Sequence, residues 1–212
     1  MQDTDNKTIR AGAQLMSLIF HPIFVPLYTV GVYFYLSPRF FLPANRYFLI
    51  LYLSIVAIII PLLFFLIILW AKGFSGYRLP NPDERLFFSI IMFVVYGIIF
   101  YKIYKYHQFV ELFPFFIGII LSVLSLATYN YFKFKPSIHA MAVTGSITFF
   151  LTWSSYSQIN ILNYLSLMIV MAALVMASRV YLGAHNLKEI ARGVLIGILM
   201  QFAGFYVTWM VF

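Results

Sequence analysis

The chain has 212 residues, of which 63% are hydrophobic and only 9% are charged, with a mean hydropathy of +0.94. A soluble domain of this length could not bury so much apolar surface, so the composition excludes a soluble globule and predicts a multi-pass membrane protein. The net charge of +8 does not indicate nucleic-acid binding, because the cations lie in short loops between apolar runs. There they are expected to act as topology signals, lipid-headgroup contacts or phosphate ligands.

Seven apolar segments follow one another along the chain. The first, at about 13–36, is predicted to be kinked or broken at Pro22 and Pro26. The others are predicted at about 47–71, 86–104, 109–131, two segments dividing 140–178, and 187 to the C-terminus. The predicted fold class is therefore all-α: a polytopic membrane helix bundle of about six or seven transmembrane helices, forming a single integral membrane domain over residues 1–212.

Three polar clusters stand where apolar segments end. They are Arg78-x6-Arg85, Ser137-x-His139 and Ser178-Arg179-x5-His185-x3-Glu189. If all seven segments span, the loops that carry these clusters open on the same side of the membrane. Lys and Arg are more numerous on that side, which favours a cytoplasmic face, but three of the cations are candidate ligands and the orientation stays open.

The third cluster indicates a reactive histidine. His185 and Glu189 are four residues apart and share one face of a helix, so the carboxylate can accept a hydrogen bond from one imidazole nitrogen. Such a bond fixes the tautomer and raises the basicity of the other nitrogen. The alternative for this pair alone is an interfacial histidine solvated by an acid, but Arg179 lies six residues earlier and is costly at a membrane boundary unless it snorkels or binds an anion.

The other two clusters are predicted to supply phosphate ligands. Ser137 and His139 follow Pro136 at the expected start of a helix, where free N–H groups suit a phosphate. The alternatives are a capping serine and a packed histidine, and Arg78 and Arg85 alone could be topology charges. Two further histidines, His21 and His107, are interpreted as interfacial anchors.

The three clusters, in this order, resemble the signature of the type 2 phosphatidic acid phosphatase (PAP2) superfamily, which includes lipid phosphatases and vanadium haloperoxidases. That signature reads Lys-x6-Arg-Pro, Pro-Ser-Gly-His and Ser-Arg-x5-His-x3-Asp. The chain departs from it at four positions: Arg78 for lysine, Leu86 for proline, Ile138 for glycine and Glu189 for aspartate. The resemblance predicts a PAP2-like core at about 72–205, similar to membrane variants of Bacteroidetes-type bacteria.

The resemblance implies a role for each matched residue. His185 is the implied nucleophile, Glu189 orients it, and His139 is the acid and base. The implied phosphate ligands are Arg78, Arg85, Ser137 and Arg179. Neither a metal nor another cofactor is implied.

The sequence thus predicts an integral protein of a bacterial cytoplasmic (inner) membrane that hydrolyses a lipid phosphomonoester or pyrophosphate through a phosphohistidine. The candidate substrates are phosphatidate, phosphatidylglycerophosphate, a polyprenyl pyrophosphate and a lipid A phosphate. The expected partners are the substrate lipid and the bilayer, with a homo-oligomer or a membrane complex left open and nucleic acid excluded. The alternative is a catalytically silent PAP2-like scaffold or lipid-binding subunit, and a transporter is disfavoured because the charges gather at the span ends.

Overall fold

The computed structural model describes residues 2–71 and 81–212, and in these two ranges the regular structure is helical throughout. The α-helices are α1 (Gln2–Ile19), α2 (Val25–Leu36), α3 (Pro43–Leu53), α4 (Ile60–Trp70), α5 (Pro82–Lys105), α6 (Phe113–Tyr131), α7 (Ile138–Ser157), α8 (Leu162–Tyr181) and α9 (Leu187–Val211). A π-helical stretch, Ser54–Ile59, joins α3 to α4, and a 3₁₀ turn, His107–Leu112, precedes α6. The predicted all-helical membrane class is confirmed.

Five helical rods of the described chain are long and apolar enough to cross a membrane. They are Pro43–Trp70, Pro82–Lys105, His107–Tyr131, Leu162–Tyr181 and Leu187–Val211. The sequence predicted six or seven spanning helices. The first apolar segment and α7 were counted in that prediction but are not among these five. Helix α7 has 20 residues but is more polar, because it carries several serines and threonines.

The first apolar segment is two helices, as its two prolines predict. Helix α1 ends at Ile19 and α2 begins at Val25, with Pro26 in its first turn, where proline is tolerated. The 12 residues of α2 extend roughly 18 Å, which is less than the roughly 30 Å of a bilayer hydrocarbon core. Helix α1 begins at Gln2, earlier than the predicted edge near residue 13, so the polar N-terminal residues are helical as well.

Helix α9 lies against both α6 and α7, and glycines let it approach closely. A Cβ atom on Gly193 would collide with the Ser137 carbonyl oxygen, and one on Gly197 would collide with Thr144 and the Met141 carbonyl. Small residues at such spacings let two helix backbones pack in contact within a membrane. The start of α9 is consequently held directly against the start of α7.

At the opposite end of the bundle, the carboxylate of Glu111 connects several elements through hydrogen bonds. Its Oε2 accepts hydrogen bonds from the Tyr33 hydroxyl and the Trp153 indole N–H, both at 2.9 Å. Its Oε1 lies 3.0 Å from an Arg39 guanidinium nitrogen. Tyr33 and Trp153 are almost fully buried, so this carboxylate ties α2, α7 and the segment before α6 together.

Candidate active site

The candidate site is built where α7 and α9 begin and α8 ends. Helix α7 begins at Ile138, and Ser137 is its N-cap, with its side-chain oxygen 3.5 Å from the Ala140 backbone nitrogen. Ser137 is completely buried and His139 is 8% exposed. The side chain of Ile138, which replaces the glycine of the signature, is 37% exposed and therefore lies on the outer side of this turn.

A tight turn connects Arg179 to His185. Gly183 has a φ of +64°, in the left-handed region that glycine adopts without a Cβ penalty. The Arg179 carbonyl then accepts hydrogen bonds from the backbone N–H groups of Ala184, at 3.1 Å, and His185, at 3.3 Å. The two residues of the third cluster that stand six apart in sequence are thereby held together.

Glu189 combines two structural roles. Its Oε2 lies 2.8 Å from Nδ1 of His185, as the spacing of four residues predicts. The same oxygen accepts the Asn186 backbone N–H at 3.3 Å, while the Asn186 side chain accepts the Glu189 N–H at 3.0 Å, which completes a capping box. A capping box uses glutamate or glutamine at this third helical position. The glutamate that replaces the aspartate of the signature thus both contacts His185 and caps α9.

The environment of His185 favours a neutral ring with a defined tautomer. A carboxylate only accepts hydrogen bonds, so Nδ1 carries the proton and Nε2 keeps its lone pair. Burial lowers the pKa of His185 below its ordinary value near 6.5; the bond to Glu189 opposes this shift, whereas the charges of Lys135 and Arg179 reinforce it. A neutral imidazole with an available Nε2 is the form in which histidine acts as a nucleophile.

The starts of α7 and α9 are joined through their backbones. The Ser137 N–H donates to the Glu189 carbonyl at 3.0 Å, directly beside the close approach at Gly193. The second and third sequence clusters therefore occupy one continuous surface. Glu189, which contacts His185, and Ser137, which caps α7, are therefore joined by a direct backbone hydrogen bond.

His139 is held by the N-terminal helix. Its Nε2 lies 3.1 Å from the Ser17 carbonyl oxygen, and because a carbonyl only accepts, Nε2 carries a proton and Nδ1 is the ring nitrogen that this bond does not use. The ring of His21 meets the ring of His139 edge to face, with centroids 5.4 Å apart. The segment that joins α1 to α2 thus forms one wall of the site.

Two arginines, Arg85 at the start of α5 and Arg179 at the end of α8, lie close enough to the site to act on its charges. The charge of Arg179 acts on His21, His139 and His185, and His139 is also within the field of His185. Arg85, in the first turns of α5, is within the field of Glu189. The structure therefore places six of the seven predicted site residues at the same end of the bundle, and the seventh, Arg78, lies outside the described residues. Their catalytic and binding roles stay predictions.

Two residues at this site were missed by the sequence analysis. Lys135 acts electrostatically on His185, and its Nζ lies 3.5 Å from the Ala184 carbonyl oxygen. The signal in the sequence that could have indicated Lys135 is its position directly before Pro136 and the second cluster. His21, interpreted as an interfacial anchor, instead touches His139, and nothing in the spacing between residues 21 and 139 indicates this contact. In the described ranges, no group of three or more acidic, histidine or cysteine side chains could hold a metal ion.

Fold and site together define a helical membrane protein with histidines and cations clustered at one end of its bundle. Residues 124–212 match the family model described as PAP2 superfamily. The match contains the second and third clusters and supports the resemblance to this superfamily over the part of the chain that holds His139, Arg179 and His185. No curated protein and no solved structure shows a significant match to the chain.

Proposed function

We propose that the protein is a metal-independent phosphatase of the PAP2 type that acts on a lipid phosphomonoester or pyrophosphate in a bacterial inner membrane. The observation that carries this proposal is the His185–Glu189 pair, 2.8 Å apart, which backbone hydrogen bonds hold to Arg179 at the same end of the bundle as His139. A neutral histidine surrounded by guanidinium and ammonium groups is suited to attack a phosphate that those cations have neutralised.

In the first step, the Nε2 lone pair of His185 attacks phosphorus in line and the bond from phosphorus to the leaving oxygen breaks. His139 enters this step as an imidazolium, a form that the negative charge of the bound phosphate favours. The leaving oxygen takes the proton of Nδ1, and the proton on Nε2 stays bonded to the Ser17 carbonyl. Glu189 stabilises the charge that develops on the His185 ring. Arg85, Arg179 and Lys135 neutralise the equatorial oxygens, with Arg78 as the remaining predicted ligand.

In the second step, water replaces the histidine. Nδ1 of His139, now unprotonated, takes a proton from the attacking water, and the bond between phosphorus and Nε2 breaks. Inorganic phosphate leaves, and both histidines return to their starting protonation states. Neither step involves a change of oxidation state or requires a metal ion.

A phosphate-release assay tests the proposal. Purified protein in detergent, without added metal, is expected to release inorganic phosphate from at least one of phosphatidate, phosphatidylglycerophosphate, a polyprenyl pyrophosphate and a lipid A phosphate. His185→Gln is expected to abolish release and the acid-labile phosphoryl group on the protein. The matched control is His107→Gln, because His107 lies at the opposite end of the bundle beside Tyr104. Folded wild-type protein that releases nothing from all four lipids would contradict the proposal and favour a silent scaffold.

A further inference from the structure

An apolar groove runs between α2, α7 and α8. Its volume is about 270 Å³, and its walls are almost entirely hydrocarbon, including Val25, Val32, Val143, Ile147, Met168 and Ala172. Two aliphatic hydroxyls line it, Thr29 and Ser146, which lie 2.8 Å apart and are each within hydrogen-bond distance of a backbone carbonyl of their own helix. With these two hydroxyls bonded in this way, the groove suits the hydrocarbon part of a ligand.

One end of this groove meets the candidate active site. Phe20 lines it and directly precedes His21, whose ring touches His139. Val143 lines it one helical turn after His139. On α8, Ala172 lies about two turns before Arg179. The apolar lining of the groove is therefore followed, at this one end, by imidazole and guanidinium groups.

The other end lies partway along the bundle. The groove follows α2 from Val25 to Tyr35, a rise of roughly 15 Å, which is about half the thickness of a bilayer hydrocarbon core. There the rings of Tyr35 and Tyr164 meet with centroids 6.2 Å apart. The length corresponds to one leaflet, and the ligand it fits is an amphiphile with an anionic head and one extended hydrocarbon chain.

We infer that this groove binds one hydrocarbon chain of the lipid phosphate whose head lies at His185 and Arg179. The inference rests on the proposed function and adds to it a chain-binding subsite formed by α2, α7 and α8. It makes the enzyme selective for substrates with a long chain over water-soluble phosphoesters. The gain arises because each buried methylene contributes to binding through the hydrophobic effect.

A steric block of the groove tests this subsite. Met171→Trp places a bulky ring in the groove wall, and Leu174→Trp on the same helix is the matched control, because Leu174 is 48% exposed and does not line the groove. Met171→Trp is expected to lower kcat/KM for dioleoyl phosphatidate by about tenfold or more and to leave dihexanoyl phosphatidate unchanged. Leu174→Trp is expected to change neither. Equal losses on both lipids, or no loss on the long one, would overturn the inference.

Photolabelling separates this inference from the proposed function, since it needs no turnover. Phosphatidate with a diazirine in its acyl chain is expected to label the α2, α7 and α8 residues of the groove in wild-type protein. Excess phosphatidate should prevent this labelling, whereas phosphatidylcholine should not. Labelling spread evenly over all apolar helices would refute the subsite even if phosphate release is observed. Groove labelling without phosphate release from any of the four candidate lipids would refute the phosphatase proposal and retain the subsite.

Discussion

Glu189 acts on His185 through one oxygen, which makes it a sensitive position for both rate and pH dependence. Glu189→Gln keeps the capping box but replaces the charged acceptor, so we expect phosphate release to fall by about 100-fold with little change in stability. The bond to the carboxylate raises the pKa of His185. Its loss should lower that pKa further and move the acid limb of the pH profile to lower pH.

The profile of kcat/KM against pH and the thermal midpoint measure these effects. Glu189→Asp serves as the control, because it keeps the charge but is too short for the capping box and should cost about 1 kcal/mol of stability. An acid limb that moves to higher pH in Glu189→Gln would show that the carboxylate does not support the imidazolium form.

Arg179 is the cation that acts on several histidines at once. Removal of its charge in Arg179→Gln favours the imidazolium forms, so the pKa values of His21 and His185 should both rise. Titration of the histidine ring signals by NMR in detergent measures this directly. Lys135→Gln is the matched control and should raise the pKa of His185 but not that of His21, since the charge of Lys135 acts on the first ring and that of Arg179 on both. Unchanged pKa values of His21 and His185 in Arg179→Gln would show that this guanidinium does not lie near either ring.

At the residue scale, the sequence predicted contacts that depend on local spacing. The bond between His185 and Glu189 follows from helical periodicity, and the cap formed by Ser137 follows from Pro136 and the polar start of α7. The acceptor for His139 could not be predicted, because a backbone carbonyl has no sequence signature. Arg78 lies outside the described residues, so its role as a phosphate ligand stays a prediction.

At the element scale, the glycines of α9 determine how precisely the site is assembled. Gly193→Ala pushes a Cβ into the Ser137 carbonyl, which must separate the starts of α7 and α9. We expect a loss of about 1–3 kcal/mol in stability, together with reduced phosphate release, because Glu189 lies one turn earlier on the same helix. Thermal unfolding in detergent and the release assay measure the two effects.

Gly97→Ala provides the matched control for this substitution. A Cβ on Gly97 meets no atom within 4 Å, and alanine has the higher helix propensity, so stability should be unchanged or rise by up to about 1 kcal/mol. If Gly193→Ala were as well tolerated as Gly97→Ala, the close packing of α9 on α7 would not be needed to form the site.

Helix boundaries were predictable where prolines and hydrophobic length mark them. The break between α1 and α2 follows from Pro22 and Pro26, and the long rods match the predicted apolar segments closely. The helical state of the polar N-terminal residues was not predicted. Over residues 7–19, for which burial is described, the buried side chains of α1 are Ala13 and Ser17. Tertiary packing against α8, rather than local hydrophobicity, accounts for that helix.

At the scale of the whole molecule, the candidate active site and the hydrogen bonds of Glu111 lie at opposite ends of the bundle. Glu111→Ala leaves the buried Tyr33 hydroxyl and Trp153 N–H without this acceptor, and we expect a loss of about 2–4 kcal/mol in stability. Activity per folded molecule should be unchanged, because His185 is remote from this carboxylate. Glu111→Gln, which retains an oxygen acceptor, should cost less. Reduced activity in fully folded Glu111→Ala would show that the two ends are coupled.

The arrangement of the bundle was only partly accessible from the sequence. Alternating spans correctly placed the second and third clusters and Arg85 at one end, since each span reverses the direction of the chain. The contribution of α1 and His21 to that end could not be deduced, because the first segment is broken and its path depends on packing against α7 and α8.

Ser17 contributes to the active end through its main chain alone. Every amino acid carries the same carbonyl, so substitutions that preserve α1 leave the proton on Nε2 of His139 where it is. Ser17→Ala is therefore expected to leave this hydrogen bond in place, although Ser17 itself is buried. Shortening or displacing the N-terminal helix would reveal that its path, rather than any side chain, determines which nitrogen of that imidazole is free of this hydrogen bond.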